Sequence, residues 1–426
     1  MEPTGKIAPE FWLTAPETRA VVEALTADGA QVRFIGGCVR DAISKRPIKD
    51  IDIATPDAPE RVMALLQSAG IKAIPTGIDH GTVTAVVGER HFEITTLRVD
   101  VETDGRRARV AFTDDWAVDA SRRDFTINAM SATPEGDVYD PFGGIDDLAY
   151  GRVRFIGVAR ERIEEDVLRL LRFFRFFATY GTPPPDQESL AACREMAPRL
   201  KELSAERIAG ELLRILLTAD PAGVIHLMQG ERVLEHILPE AGDVGRLRVL
   251  AWLETTAIRV ETVKPDFIRR LAALVRTDAD GAGEIADRLR LSNRQKTRLM
   301  ALCEPPFQMS SDLGEYEILL ALRRADAEIV RDNILLAWAG ERSIDPHPPA
   351  ERTNRWLALL NRVDQGEIPV FPLKGRDVTN LGVAPGPGLG ELLRRVEAWW
   401  EEGGFEAGRD DCLGKLRQLL ERDKGH

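Results

Sequence analysis

The chain reads Phe34-Ile-Gly-Gly-Cys-Val-Arg-Asp41 and then, nine residues later, Asp50-Ile-Asp52 inside an alternating apolar segment. Residues two apart on a β-strand point to one face, so we expect the two aspartates side by side, opposite Ile51 and Ile53. Two carboxylates that close repel each other unless a cation lies between them. Mg²⁺ binds carboxylate oxygens together with substrate phosphates, and a Gly-Gly turn lets the backbone approach those phosphates. The combination predicts a metal-dependent site for nucleotidyl transfer.

Each part of this pattern alone has a simpler interpretation. A Gly-Gly pair is usually a tight turn, and an Asp-x-Asp pair is usually a solvated strand edge or turn. Both lie here within one window of about 20 residues, which makes the pattern more specific. Arg40 and Lys49 lie in the same window and supply the counter-charge that a triphosphate requires.

Composition sets the broad class of the protein. The 426 residues allow two to four modules, and 44% of them are hydrophobic, which allows a substantial core. A net charge of −12 argues against a surface coated with nucleic acid but leaves a local basic surface open. Residues 151–175 carry seven arginines and four acids, so the charge is uneven.

Cysteine usage and hydropathy predict a cytoplasmic protein without a membrane segment. No apolar run reaches membrane-spanning length, and the first residues lack the order of a signal peptide. The four cysteines are far apart and form no Cys-x-x-Cys, which argues against a zinc site or a disulfide framework.

Periodicity predicts an α+β protein with a mixed α/β N-terminal part of about 150 residues. Period-two alternation predicts strands, and Pro59–Ala69 has a helical pattern. After Glu161 the period changes to 3.6 and most of the remainder is predicted to be helical. The predicted strands are Gln31–Ile35, Ile48–Ala54, Gly81–Val87 and His91–Leu97.

The segment Glu164–Phe177 is predicted to be one helix with a single charged row. Asp166, Arg169, Arg172 and Arg175 are spaced three apart, and almost every other position is Val, Leu or Phe. A charged row on an otherwise buried helix must line something polar, which indicates a wall that contacts phosphate and base. The alternative is a solvent-exposed stripe in which Asp166 and Arg169 form a surface pair.

An aspartate and an arginine one helical turn apart have a chemical use on such a wall. Cytosine and adenine both place an exocyclic amine donor beside a ring-nitrogen acceptor on their Watson–Crick edges, whereas uracil and guanine reverse that order. Asp166 can accept from the amine while Arg169 donates to the ring nitrogen. The pair would therefore select C and A without a nucleic-acid template.

A third segment, Asp119–Met130, contains the adjacent arginines Arg122 and Arg123 and is followed by Asp140-Pro-Phe-Gly-Gly144. Adjacent side chains point differently on a regular element, so we expect only one of the two to face the nucleotide. The alternative for this segment is a helix cap with its salt bridges.

Taken in order, these segments resemble the class II tRNA nucleotidyltransferase and bacterial poly(A) polymerase family of the DNA polymerase β superfamily. The resemblance spans roughly residues 31–240, with Ser44-Lys45 and Phe173-Phe174 as small departures. It rests on Gly36-Gly37-x-Val39-Arg40-Asp41, Asp50-x-Asp52, Arg122-Arg-Asp-Phe-Thr-Ile-Asn-Ala129, Glu165-Asp166-x-x-Arg169 and Arg207-Ile208-x-x-Glu211-Leu212.

The resemblance implies a role for each matched residue. Asp50 and Asp52 hold two Mg²⁺ ions and are the catalytic carboxylates. Gly37, Arg40 and Arg123 contact the triphosphate and sugar. Asp166 and Arg169 read the incoming base, and Arg172 and Arg175 bind the nucleotide from the same helix.

The resemblance also implies an elongated molecule along which tRNA lies. A nucleotidyltransferase head (1–150) is followed by an all-helical neck with the arginine helix (151–220), a helical body (221–345) and a helical tail in contact with tRNA (346–426). Glu93 is either a third acid near the metals or a solvent-facing strand carboxylate. The sequence leaves the oligomeric state open.

Two further segments favour one branch of the family. Thr76–Thr84 looks like the branch that adds CCA, and Arg98–Trp116 resembles the flexible loop of full CCA enzymes. The implied activity is addition of CCA to the tRNA 3′ end from CTP and ATP. The alternatives are a poly(A) polymerase, a nucleotidyltransferase that adds only CC or only A, and a non-catalytic RNA-binding protein.

Overall fold

The computed structural model describes residues 2–8, 10–104, 107–366 and 368–424, which form two compact units. The first unit comprises residues 1–244 with 288–290, and the second comprises 245–287 with 291–426. The expected fold class is confirmed, because a mixed sheet near the N-terminus is followed by helices. The finer division at residues 150, 220 and 345 stays a prediction.

Eight of the strands described in the first unit form one mixed sheet, in the order β1-β10-β9-β2-β3-β6-β5-β4. β7 and β8 pair with each other as a separate hairpin. The strands are β1 (Gly5–Lys6), β2 (Arg33–Ile35), β3 (Ile51–Thr55), β4 (Lys72–Gly77), β5 (Thr82–Val87), β6 (Arg90–Thr96), β7 (Arg98–Asp104), β8 (Arg107–Phe112), β9 (Ser131–Ala132) and β10 (Asp137–Tyr139).

The parallel pair β3 and β6 sets the two faces of the sheet. Ile53 lies opposite Ile94 and Asp52 opposite Glu93 in the register. The apolar members are buried in a core that includes Phe34 of β2 and Phe92. Alternation along each strand therefore turns Asp52 and Glu93 to the other face, away from that core.

The predicted strand at Ile48–Ala54 begins later than expected. Its pairings with β2 and β6 extend only over Ile51–Thr55, so Asp50 precedes the strand and is exposed. Side-by-side placement of two aspartates within one strand is therefore wrong. Asp50 and Asp52 remain neighbours at the point where the strand begins.

The first unit also contains the helices that surround the sheet and those that follow it. They are α1 (Phe11–Thr14), α2 (Pro16–Thr26), α3 (Gly37–Ile43), α4 (Pro59–Ser68), α5 (Trp116–Ser121), α6 (Gly144–Ala149), α7 (Ala159–Glu165), α8 (Leu168–Tyr180), α9 (Gln187–Met196), α10 (Ala205–Leu216) and α11 (Pro221–Gly230). α2 and α4 contribute to the core beneath the sheet.

The single helix predicted over Glu164–Phe177 is wrong at Asp166. α7 ends at Glu165, Asp166 has extended backbone angles (φ −152°, ψ 106°), and α8 begins at Leu168. The Asp166 carboxylate accepts the backbone N–H of Leu168 at 3.1 Å. An aspartate that bonds a nearby backbone N–H in this way competes with helix formation, which the spacing pattern alone does not reveal.

The segment Arg98–Trp116, predicted to be a mobile loop, contains β7 and β8 and ends where α5 begins. Arg98 pairs with Phe112 at the base of the hairpin. Gly105 and Arg106 lie outside the described residues, and the mobility of the segment stays a prediction.

The second unit is helical throughout its described part. Its helices are α12 (Val244–Trp252), α13 (Phe267–Leu274), α14 (Ala279–Arg288), α15 (Asn293–Cys303), α16 (Glu315–Arg324), α17 (Ala327–Ile344), α18 (Ala350–Gln365), α19 (Gly375–Thr379), α20 (Pro387–Glu402) and α21 (Arg409–Lys424). α20 and α21 share a core around Trp400 and Leu416. Within the described ranges, no helix has the length and apolarity needed to cross a membrane.

Candidate active site

The turn from β2 into α3 requires glycine. Gly36 precedes the helix with φ +65° and ψ −121°, a conformation that residues with a side chain rarely adopt. A Cβ on Gly36 would also lie 3.2 Å from Nη1 of Arg123. The turn brings the N-terminus of α3 close to the start of β3, where Cys38 Sγ lies 3.8 Å from the carbonyl oxygen of Asp52. The first backbone N–H groups of a helix have no carbonyl partner within it, so they are suited to bind an anion.

A cavity of about 460 Å³ opens at this turn, and we call it the Asp52 cavity. It brings together seven of the nine residues predicted for the site: Gly37, Arg40, Asp52, Arg123, Asp166, Arg169 and Arg172. Its other lining residues are Gly36, Arg122, Asp124, Asn128, Leu168, Phe176 and Arg207. Asp50 and Arg175 do not line it.

Acidic neighbours surround Asp52 on the open face of the sheet. Burial, followed by the carboxylates of Glu93 and Asp50, raises the pKa of Asp52 to about 6, although the guanidinium of Arg123 opposes the rise. A cation beside Asp52 would relieve this repulsion. Across the described residues, no three His, Cys, Asp or Glu side chains are grouped as ready metal ligands.

Arg40 is buried and held on several sides. Its Nη1 donates to Oδ1 of Asn128 at 2.6 Å, and its Nε and Nη2 donate to the two carboxylate oxygens of Asp41 at 3.0 and 3.1 Å. The guanidinium lies 4.4 Å from the ring centre of Tyr180, whose hydroxyl donates to Asp41 at 2.6 Å. These contacts fix the direction in which Arg40 offers its remaining N–H groups to the cavity.

Arg122 and Arg123 both line the Asp52 cavity, and the expectation that only one of them faces the nucleotide stays a prediction. The carboxylate of Asp119 accepts from Arg122 Nε at 2.8 Å and from Arg123 Nη2 at 3.2 Å. α5 ends at Ser121, and the following turn lets both side chains reach the same buried partner. Regular alternation does not hold beyond the end of a helix.

Arg172 reaches the cavity through an ion pair with a buried carboxylate. Its Nε donates to Oδ2 of Asp124 at 2.7 Å, and Asn128 Nδ2 donates to Oδ1 at 2.9 Å. Burial alone would raise the pKa of Asp124, but Arg172 and the Asn128 amide hold it below its usual value. Asp124 therefore stays charged and fixes Arg172, while Asn128 connects the pair to Arg40.

Asp166 and Arg169 lie at the same cavity, and the Arg169 backbone N–H donates to the Asp166 carbonyl at 3.0 Å, but their side chains do not pair with each other. Arg207 Nη2 donates to both carboxylate oxygens of Asp166, at 3.0 and 2.8 Å. Arg169 Nη1 donates to Glu165 at 2.5 Å, and its Nη2 donates to the backbone carbonyl of Arg122 at 3.2 Å. The surface ion pair considered as an alternative for these two residues is therefore not what the structure contains.

Arg175 is directed away from the cavity. Its Nε donates at 2.5 Å to Oε2 of Glu211, a buried residue of α10. The three-residue spacing places Arg175 on the row of Arg169 and Arg172, but the slant of that row carries it past the cavity.

Five residues that hold the predicted side chains were given no role from the sequence: Asp124, Asn128 and Arg207, which line the cavity, and Asp119 and Glu211, which do not. Each is a partner of a predicted residue rather than an isolated charge. All five lie within the segments Asp119–Met130 and Arg207–Leu212, so the sequence motifs already contained these residues. The pairing between segments is a tertiary property, which spacing within one segment does not specify.

Comparisons with known proteins agree with this geometry. Residues 32–154 match the model described as "Poly A polymerase head domain", and residues 185–243 match "Probable RNA and SrmB- binding site of polymerase A". The human mitochondrial CCA tRNA nucleotidyltransferase 1 is 34% identical over 422 residues, 96% of this chain and 92% of that protein. The CCA-adding enzyme of Streptococcus gordonii is 29% identical over 393 residues, 89% of this chain and 92% of that protein.

A solved structure extends the likeness to the fold. The Bacillus stearothermophilus CCA-adding enzyme in complex with CTP is 25% identical and superposes with a TM-score of 0.75, covering 98% of this chain and 100% of that one. Similarity to the human protein extends over nearly the whole length of both chains. The chain belongs to the family of CCA-adding tRNA nucleotidyltransferases.

Proposed function

We propose that this protein adds CCA to the 3′ end of tRNA, using CTP and ATP and releasing pyrophosphate. The observation that carries the proposal is the Asp52 cavity, which combines a helix N-terminus, four predicted arginines and a carboxylate with a raised pKa. The names of the relatives over the full chain supply the choice of acceptor and nucleotides.

Arg40, Arg123 and the first turn of α3 are proposed to bind the triphosphate. Gly36 and Gly37 leave room for phosphate oxygens beside the backbone N–H groups of α3. Arg40 and Arg123 are each held by a carboxylate and therefore present fixed positive groups at the cavity. This arrangement orients the α-phosphorus for in-line attack by the tRNA 3′-hydroxyl.

Asp50 and Asp52 are proposed to hold two Mg²⁺ ions, and enzymes of this family generally use divalent metals. When bound, such ions lower the pKa of the attacking hydroxyl and stabilise the charge of the leaving pyrophosphate. The residues fit this role because the carboxylate of Asp52 is destabilised by Asp50 and Glu93. Glu93 lies opposite Asp52 in the register, and we propose that its carboxylate helps Asp50 and Asp52 to bind the cations.

Asp166 and Arg169 are proposed to read the incoming base. Among the described contacts, Arg169 uses Nη1 and one hydrogen of Nη2, which leaves its Nε–H and the other Nη2 hydrogen for a ring nitrogen. Asp166 accepts from Arg207 and Leu168, and its remaining lone pairs can accept an exocyclic amine. Cytosine and adenine satisfy both groups, whereas uracil and guanine do not.

The description of the matching head domain favours one alternative, a poly(A) polymerase. Addition of only CC or only A is a further alternative within the family. We also propose a cytoplasmic location, because the four cysteines are unbridged. The division into head, neck, body and tail remains part of the proposal, with tRNA lying along the helical parts.

One assay tests the activity. Purified protein is incubated with a tRNA transcript that lacks its 3′ CCA, first with each nucleoside triphosphate alone and then with CTP plus ATP, and the products are sequenced. We expect CC from CTP alone and CCA from the mixture. Long A tails made without any use of CTP would identify a poly(A) polymerase, and no incorporation would overturn both enzyme assignments.

A further inference from the structure

Asp50 and Asp52 line different cavities. Asp52 belongs to the cavity with Gly37 and Arg169, whereas Asp50 borders a separate cavity of about 560 Å³ beside α1 and the start of β6, which we call the Asp50 cavity. Both cavities lie in the first unit. The two proposed metal ligands thus stand at the boundary between two spaces of similar size, only one of which has an assigned occupant.

The Asp50 cavity has an aromatic surface. Phe11 lines the cavity and is 71% exposed. Trp12 also lines it, but this side chain is only 6% exposed and packs edge-on against Phe34 of the core, with ring centres 5.0 Å apart. Of these two rings, Phe11 is therefore the one that a ligand can contact.

Charged side chains of both signs line the same cavity, with Arg46, Lys49 and Arg90 accompanied by Glu10, Asp50 and Glu89. The guanidinium of Arg90 lies 5.4 Å from the ring centre of Phe11, and Lys49 and His91 are exposed at the rim. An open aromatic face combined with cations is the usual way in which proteins bind single-stranded nucleic acid, because bases stack on the ring while phosphates meet the charges. Asp50 stands at the end of this surface, next to the proposed reaction centre.

The in-line geometry of nucleotidyl transfer indicates which group occupies the Asp50 cavity. In-line displacement requires that the attacking oxygen and the leaving pyrophosphate lie on opposite sides of the α-phosphorus. With the triphosphate against α3 in the Asp52 cavity, the RNA 3′-hydroxyl must come to the carboxylates from another side. We propose that the Asp50 cavity binds the 3′-terminal nucleotide of the RNA acceptor, with its base on Phe11 and its phosphate near Arg90 and Lys49. This inference rests on the proposed function.

Steady-state kinetics with a tRNA transcript lacking CCA and with CTP test the proposal. We expect Phe11→Ala and Arg90→Ala each to raise the KM for RNA about fivefold to tenfold, the first by loss of a base–aromatic contact and the second by loss of a phosphate contact. The KM for CTP should stay within about twofold, because neither residue lines the Asp52 cavity. Tyr150→Ala is the matched control. Tyr150 is 72% exposed and has the Arg152 guanidinium 5.1 Å from its ring centre, but it lines neither cavity.

A crosslinking measurement makes the same test independent of rate. A transcript with 4-thiouridine as its last nucleotide should crosslink to the peptide that contains Phe11 or to the one that contains His91. An unchanged KM for RNA in both variants, a raised KM for CTP instead, or crosslinks confined to other segments would each overturn the inference. Wild-type incorporation of CMP tests the proposed function separately, so failure of the cavity assignment remains distinguishable from failure of the activity.

Discussion

The carboxylate of Asp166 is held by the guanidinium of Arg207, whose Nη2 lies 3.0 and 2.8 Å from its two oxygens. Asp166 stands in the break between α7 and α8, and Arg207 comes from α10, 41 residues further along the chain. Because the backbone at Asp166 is extended, this ion pair and the bond to Leu168 N–H determine where the carboxylate points.

Base choice should depend on Asp166 and Arg169. We expect Asp166→Ala and Arg169→Ala to reduce discrimination against UTP and GTP roughly tenfold or more, since a matched pair of base-edge contacts contributes about 1–3 kcal/mol of selectivity. The ratio of kcat/KM for CTP to that for UTP is the measurement. Arg207→Ala should give the same relaxation to a smaller extent, because it acts only by releasing Asp166. Full selectivity for C and A in all three variants would show that the pair is structural.

The metal assignment predicts loss of both activities together. Asp50→Ala or Asp52→Ala should slow the addition of CTP and of ATP at least about a thousandfold, equivalent to ~4 kcal/mol of transition-state stabilisation. Binding of tRNA, measured by filter retention, should persist. Glu60→Ala, an exposed acid in the first turn of α4, is the charge control. Activity of either aspartate variant within about tenfold of wild type would contradict the two-metal assignment.

Glu93 has an intermediate predicted effect. Glu93→Gln keeps the size of the side chain but removes a charge that acts on Asp52, so we expect activity at limiting Mg²⁺ to fall about 10- to 100-fold. Raising the Mg²⁺ concentration should restore much of it, because Asp50 and Asp52 are intact. The measurement is a Mg²⁺ titration of CMP incorporation. A titration curve identical to that of the wild type would assign Glu93 to a solvent-facing role.

Substitution of Arg175 tests whether this residue has a structural role or binds the nucleotide. Its partner Glu211 has only 4% of its side chain exposed, and Arg175→Ala removes the shortest of its ion-pair contacts at a cost of about 2–3 kcal/mol, leaving Arg214 at 3.4 Å and Arg172 at 4.0 Å. We expect the melting temperature to fall by roughly 5–10 °C while the KM for CTP at 20 °C stays near that of the wild type. Arg199→Ala, which breaks an exposed pair with Glu202, should leave both values unchanged. A KM rise without a stability loss would support the role implied by the family resemblance.

The segment Arg98–Trp116 provides the test of the switch from C to A. It contains the polar residues Asp104-Gly-Arg-Arg107, which are poor in apolar anchors. Removal of residues 101–109 should leave CC addition within a few-fold of wild type and abolish the terminal A, because a movable element must reshape the site between the two bases. Sequencing of the products distinguishes CC from CCA ends. Unimpaired addition of A by the shortened protein would remove this segment from the switch.

Local patterns were sufficient for much of this protein. Alternation around Ile51, Ile53 and Phe92 determined which strand faces enter the core, because burial of apolar side chains depends mainly on their period. Gly36 could be recognised as a turn residue because only glycine adopts its backbone conformation readily. The arginine-rich segment of α8 could be recognised because a charged row on an otherwise apolar helix must line a polar region.

The pairings between segments were decided only by the tertiary structure. Asp166 leaves the helix that its spacing suggested, Arg175 turns to Glu211, and Arg122 joins Arg123 on Asp119. Each outcome depends on a partner far away in the chain, and periodicity carries no information about such a partner. A charged side chain is directed by the nearest group that can neutralise it after burial, so its position in the sequence determines its type of chemistry but not its target.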